Sequence, residues 1–129
     1  MCGYTAPASG VSRDILIMSL DSTGQSVWEK RIGSDSNTDI CKGIVEFEDG
    51  IYFAGESRSF SAAYSLLLGK MTLNGNLEWL KLVSGVSHTR SINLHERDGF
   101  LIIGGYTDNL VSGLEDYLVI KSDSDGNLH

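Results

Sequence analysis

The chain has 129 residues, 41% hydrophobic and 21% charged, the balance of one ordinary globular domain. Ten basic against seventeen acidic residues leave a net charge of −7, without the Lys and Arg excess that nucleic acid or an anionic membrane requires. Apolar runs such as Ile15-Leu16-Ile17-Met18 are strand-sized and far short of a membrane span, and residues 1–10 lack the basic start and apolar core of a signal peptide.

In chain order, Gly3-Tyr4-Thr5 is followed by a long connection from Tyr4 to Arg13 and then by a strand beginning Asp14-Ile15-Leu16-Ile17. The stretch Leu20 to Trp28 turns at Gly24 and continues as an outer strand. After a connection from Gly33 to Asn37, Thr38 to Glu48 reads as a strand with Ile44, Val45 and Phe47 apolar. Asp49-Gly50 predicts a tight turn, because glycine accepts the positive φ of a two-residue hairpin. Ile51 to Gly55 forms the next strand, and Ser57 to Ala63 a looser connection. Tyr64 to Thr72 is an apolar run without alternation, the pattern of a strand buried on both faces. Leu73-Asn74-Gly75 turns the chain into Asn76 to Val83, where Leu77, Trp79 and Leu82 suit a half-buried outer strand. A helix competes for the run from Tyr64 to Leu73, but Gly69 and the closely spaced turn signals argue for strands. A connection from Ser84 to Thr89, a turn at Asp98-Gly99, a connection from Thr107 to Glu115 and a turn at Asp123 to Asn127 complete the chain.

These elements repeat. A slide of 51 residues carries Asp14-Ile15-Leu16-Ile17 onto Ser65-Leu66-Leu67-Leu68 and then onto Asp116-Tyr117-Leu118-Val119. It carries Gly24 onto Gly75 and Gly126, and Trp28 onto Trp79. Glu48 to Gly55 recurs as Arg97 to Gly105 at a shift of 49, and Gly3-Tyr4-Thr5 matches Gly105-Tyr106-Thr107. Each period reads as four short strands.

Four-stranded units of this length resemble β-propeller blades of the kelch-like and quinoprotein-like kind. The resemblance is carried by Gly3-Tyr4-Thr5, Asp14, Asp21, Gly24, Trp28, Asp49-Gly50, Tyr52 and Gly55, and by their downstream copies, and it covers essentially the whole chain. It implies an all-β fold of four-stranded antiparallel blades, with Thr38 to Glu48 innermost and Asn76 to Val83 outermost. Residues 1–37 would then be the outer half of one blade, 38–83 a complete blade and 84–129 most of a third. About 2.5 repeats fall short of the roughly 4 to 8 blades of a closed ring, so a fragment of a longer propeller is expected ahead of a ring completed by association or an open stack. The resemblance also implies an extracellular or cell-surface setting.

The chemistry-bearing residues are weighed against this repeat. Asp123, Asp125 and Asn127 alternate like the start of an EF-hand loop, yet Gly126 falls at the fourth position where that loop needs glycine at the sixth. The second copy of the same turn, Thr72-Leu73-Asn74-Gly75-Asn76, has no carboxylate, so a hairpin turn accounts for all three. Asp14 and Asp116 fall where the second copy has Ser65, and a short polar acceptor for loop N–H groups covers both types. Trp28 and Trp79 could stack on sugars, but recurrence at one place favours packing between neighbouring units. His88, His95 and His129 lack the HExxH or Cys partners of a zinc site, and no G-x-S-x-G elbow supports a triad. Cys2 and Cys41 do not make a disulfide framework, and Cys41 reads as a small buried apolar residue. No catalytic residue, metal ligand or cofactor is assigned.

The structural repeat positions are therefore Gly3, Asp14, Gly24, Trp28, Gly55, Gly75, Trp79, Gly105, Asp116 and Gly126. The long connections vary most between copies and fall on one face, where binding residues concentrate. The expected function is a non-catalytic scaffold or recognition module that binds a protein or glycan through Arg58, Phe60, His88 and Arg90. Self-association through open blade edges is a further expectation. The second reading is part of a propeller enzyme, a quinoprotein-like dehydrogenase or a glycan-active enzyme.

Overall fold

The computed structural model describes residues 1–8, 10, 12–34, 36–60, 63–83, 88–108 and 114–129. Parts of the long connections expected to bear a binding face, residues 61–62, 84–87 and 109–113 among them, lie outside the described residues. The described chain is all-β, with ten strands in three antiparallel sheets. The first sheet is β1 (Cys2–Thr5), β2 (Asp14–Leu20) and β3 (Ser26–Ile32). The second is β4 (Asp39–Phe47), β5 (Gly50–Ser57), β6 (Ser65–Thr72) and β7 (Leu77–Val83). The third is β8 (Thr89–Arg97), β9 (Phe100–Asp108) and β10 (Glu115–Ser122). Only the middle sheet has the four strands expected of a complete unit; its neighbours have three each.

The strands that alternate in sequence also alternate in burial, because successive side chains point to opposite faces. In β2, Ile15 and Ile17 turn toward the second sheet and share a core with Ile32, Cys41, Phe53, Leu67 and Met71. In the second sheet, Tyr52, Ala54, Leu66 and Leu68 turn the other way and join Leu94, Leu101, Ile103 and Ile120 of the third. The middle sheet is thus buried on both faces, which explains the unbroken apolar run in β6.

The 51-residue period recurs in backbone geometry. A bulge between Ser19 and Leu20 in β2 is matched between Lys70 and Met71 in β6, and one between Cys41 and Gly43 in β4 by one between Ser91 and Asn93 in β8. Asp39 N–H donates to Arg13 O at 2.7 Å and ties the first sheet to β4; Thr89 N–H donates to Tyr64 O at 2.9 Å and ties the second sheet to β8. Gly43 lets these inner strands close up, since a Cβ there would lie 2.5 Å from Leu94 N.

The outer turns lock each sheet to the one before it. Gly24, Gly75 and Gly126 all adopt positive φ, at 84°, 82° and 77°, the conformation only glycine takes freely. Each donates its N–H back three residues, to Asp21, Thr72 and Asp123 O, at 2.9–3.0 Å. Trp28 lies on the Gly75 turn and donates its indole N–H to Leu73 O at 3.2 Å. Trp79 lies in the same way on Gly126. Both tryptophans thus lie on a glycine turn of the adjacent sheet.

Two local features differ from expectation. The first inner hairpin turns at Glu48-Asp49, with Phe47 paired to Gly50 and Glu48 itself at φ 52°. Gly50 is already in β5, where its missing side chain leaves room for Lys70, whose Cε would be 2.6 Å from a Cβ. The second hairpin turns at Asp98-Gly99 as the sequence suggests, both residues at positive φ. The cysteines are also not separate: Cys2 of β1 and Cys41 of β4 form a disulfide between the first two sheets, with Cα atoms 5.7 Å apart.

That disulfide closes a loop with a sequence separation of 39. Reduction is expected to lower the unfolding free energy by roughly 2–4 kcal/mol, measured by urea titration with and without reductant. Gly75→Ala and Gly24→Ala separate the two demands on the outer turns. A Cβ at Gly24 meets open space, so backbone strain alone costs about 1–2 kcal/mol. A Cβ at Gly75 would lie 2.8 Å from the Trp28 ring, adding about 1–3 kcal/mol. Equal midpoint shifts for the two variants would contradict the tryptophan contact.

Candidate functional site

Three of the four residues expected at a binding face meet around Tyr64, which the sequence pattern places at the start of a strand. Tyr64 immediately precedes β6. The Arg90 guanidinium lies 4.4 Å from its ring centroid and that of Arg58 5.1 Å. Such cation–ring stacking contributes roughly 0.5–1 kcal/mol where exposed. His88 stacks on the same tyrosine at 5.6 Å between ring centroids, and its Nδ1 accepts the Tyr64 N–H at 3.3 Å. Its Nε2 takes no part in this bond. Phe60, the fourth residue, is exposed and has no ring contact with this cluster among the described residues.

One inter-sheet link positions the cluster. Tyr64 O accepts from Thr89 N–H, which sets β8 against the start of β6 and delivers Arg90 beside the tyrosine, while Asp108 N–H donates to His88 O and extends the β8–β9 pairing within the third sheet. Beneath lies Glu56, buried near the end of β5. Arg90 Nε is 3.8 Å and Lys42 Nζ 3.9 Å from its carboxylate. Arg90 also donates to the Tyr106 hydroxyl at 3.4 Å. Burial works against the Arg90 charge, but the Tyr106 hydroxyl and the Glu56 carboxylate outweigh it and hold the guanidinium pKa above its ordinary value.

Lys42 and Arg90 thus flank one buried carboxylate, and Arg58 stacks with Arg90 on Tyr64, which gathers three cations on a chain of net charge −7. Arg58 is exposed and forms no ion pair among the described residues. Two guanidinium groups with planar donor forks beside a flat ring suit a carboxylate-bearing ligand.

A second polar cluster went unread in the sequence. Asp39 at the start of β4 is fully buried and accepts from the hydroxyls of Ser57 and Ser59, and from Ser59 N–H at 3.3 Å. The Asp14 and Asp39 carboxylates both lie against the Gly33 backbone, and Asp14 Oδ1 is buried without a hydrogen-bond partner among the described residues. One repeat later, Thr89 and Thr107 stand where Asp39 and Ser57 pair, their hydroxyls 3.4 Å apart. This cluster ties the ends of paired strands together. Asp116, the downstream counterpart of Asp14, is exposed at the start of β10.

The Asp123 to Asn127 turn closes on itself. Asp123 Oδ1 accepts Asp125 N–H at 3.0 Å and Asn127 N–H at 2.8 Å, while Oδ2 accepts the Asn127 side-chain amide at 3.0 Å. Asp21 Oδ1 accepts Gln25 N–H, and Thr72 Oγ1 accepts Asn76 N–H, in the same geometry. His95 and His129 stand apart from the Tyr64 cluster: His95 pairs with Ile102 across β8 and β9, and His129 packs on Phe100. No family model matches the chain, and no curated protein matches it.

Hydrogen bonds from Asn127, first its backbone and then its side chain, hold the Asp123 carboxyl down at about 2, against an ordinary 3.8. A pKa lower in the folded state gives stability that is present above the unfolded value and lost as pH falls from about 4 through 2. A carboxyl-resolved NMR titration is expected to show Asp123 near that low value, unmoved by millimolar calcium. A calcium-dependent shift would contradict the self-contained turn.

Proposed function

We propose that the chain is a run of β-propeller blades acting as a non-catalytic recognition module, and that the Tyr64 cluster receives an acidic segment of a protein partner. The blade reading is supported by the period itself. Sheets one period apart repeat their bulges, their backbone ties and their tryptophan-on-glycine contacts, as expected of units stacked around an axis. The Cys2–Cys41 disulfide fits the extracellular or cell-surface setting of such modules, where disulfides persist.

The observation that carries the binding reading is the convergence of Arg58, His88 and Arg90 on Tyr64. Stacking on one ring pre-orders long side chains, so less rotamer entropy is lost when a ligand binds. Phe60, on the connection that carries Arg58, adds an exposed apolar contact.

A fluorescently labelled hexaglutamate peptide tests the reading directly. Binding to the intact chain is expected to weaken with salt and to fall roughly tenfold or more in Arg58→Ala. Tyr64→Leu is expected to lose binding while keeping the fold. Equal affinity for hexalysine, or binding indifferent to Arg58 and Tyr64, would overturn it.

A further inference from the structure

The outward face of the β8–β10 sheet is apolar and uncovered. Tyr117 is 95% exposed, Val119 74% and Ile92 52%. Tyr117 and Val119 follow Leu66 and Leu68 by 51 residues, and these follow Ile15 and Ile17 by 51. All four earlier residues are buried, each pair under the next sheet. The molecule uses this position twice to dock a sheet and presents it a third time with no sheet over it among the described residues.

The opposite end of the molecule carries the surface that does the covering. In the second sheet the covering position is Leu67, fully buried in the core with Ile15 and Ile17. Its counterpart 51 residues earlier, Leu16, faces outward from the first sheet and is only half-buried. Leu16, Met18, Gly3 and the exposed Met1 help line an apolar depression of about 190 Å³. Both faces carry charges of both signs beside their apolar residues: Glu115, its cross-strand neighbour Asp108 and Lys121 on one, and Glu29 and Arg31, paired across from Met18 and Leu16, on the other.

We propose that the uncovered β8–β10 face docks the outward β1–β3 face of a second copy of this chain, head to tail. The contact repeats the two sheet-to-sheet interfaces already inside the molecule. A contact between two different faces leaves one of each free, so it closes into a ring or propagates. This inference rests on the repeat register and on burial, and it holds whether or not the Tyr64 cluster binds acidic segments.

The test is sedimentation velocity of the intact chain at sub-millimolar concentration, where assemblies of two or more chains are expected. Tyr117→Lys with Val119→Lys alters two exposed side chains, and Gly3→Arg places bulk in the depression where a Cβ meets nothing within 4 Å. Both variants are expected to keep the wild-type circular dichroism spectrum and to associate at least roughly tenfold more weakly. Mixed together, they should recover a two-chain species, because each retains one sound face. A wild-type chain that stays monomeric would overturn the proposal. So would a Gly3→Arg variant that still pairs like wild type, or a mixture that stays monomeric.

Discussion

Everything in this molecule depends on one sheet covering the next at a fixed step along the chain. A single three- or four-stranded sheet has two faces and cannot bury both alone. Ile15 and Ile17, then Leu66 and Leu68, solve this by turning one face of each sheet into the core shared with the next. The step is 51 residues, so equivalent side chains meet equivalent neighbours and the stack grows by repetition. The inner strands, the outer turns and the disulfide all serve that stacking. Gly43 admits Leu94 at the inner edge, and Trp28 and Trp79 cap the outer edge on Gly75 and Gly126. Cys2–Cys41 adds a covalent tie between the first two sheets.

The proposed binding cluster lies on what the stack leaves free. Strand ends brought together by the inter-sheet hydrogen bonds carry side chains that differ from copy to copy. Where Arg13 precedes β2, Tyr64 precedes β6, and only the second of these gathers two arginines and a histidine. The same scaffold at a neighbouring strand end builds the buried Asp39–Ser57–Ser59 network instead. The repeated backbone thus supplies position, and unrepeated side chains supply chemistry.

Much of this was legible in the sequence because the period is written in residues with few substitutes. Glycine at positive φ and tryptophan in an inter-sheet gap leave marks at Gly24, Gly75 and Gly126, and at Trp28 and Trp79. The turn at Glu48-Asp49 was misplaced because Gly50 resembles a turn glycine, whereas its purpose is space for Lys70. The disulfide was unreadable: two cysteines 39 residues apart carry no spacing signal, and only the stacking of β1 near β4 brings them together. Arg58, His88 and Arg90 were named from their connections, but Tyr64 and Glu56 were hidden inside strand-like and loose stretches. Their signal was the contrast between copies, with tyrosine at 64 where the first copy has Arg13.

The central claim is that each sheet meets the next in the same register. Nuclear Overhauser contacts between the tryptophan ring protons and the glycine α-protons test it most directly. The account predicts contacts from Trp28 to Gly75 and from Trp79 to Gly126, two copies of one inter-sheet contact. Absence of either contact in the folded chain, or a contact of Trp28 with Gly24 in its own sheet in place of Gly75, would contradict it.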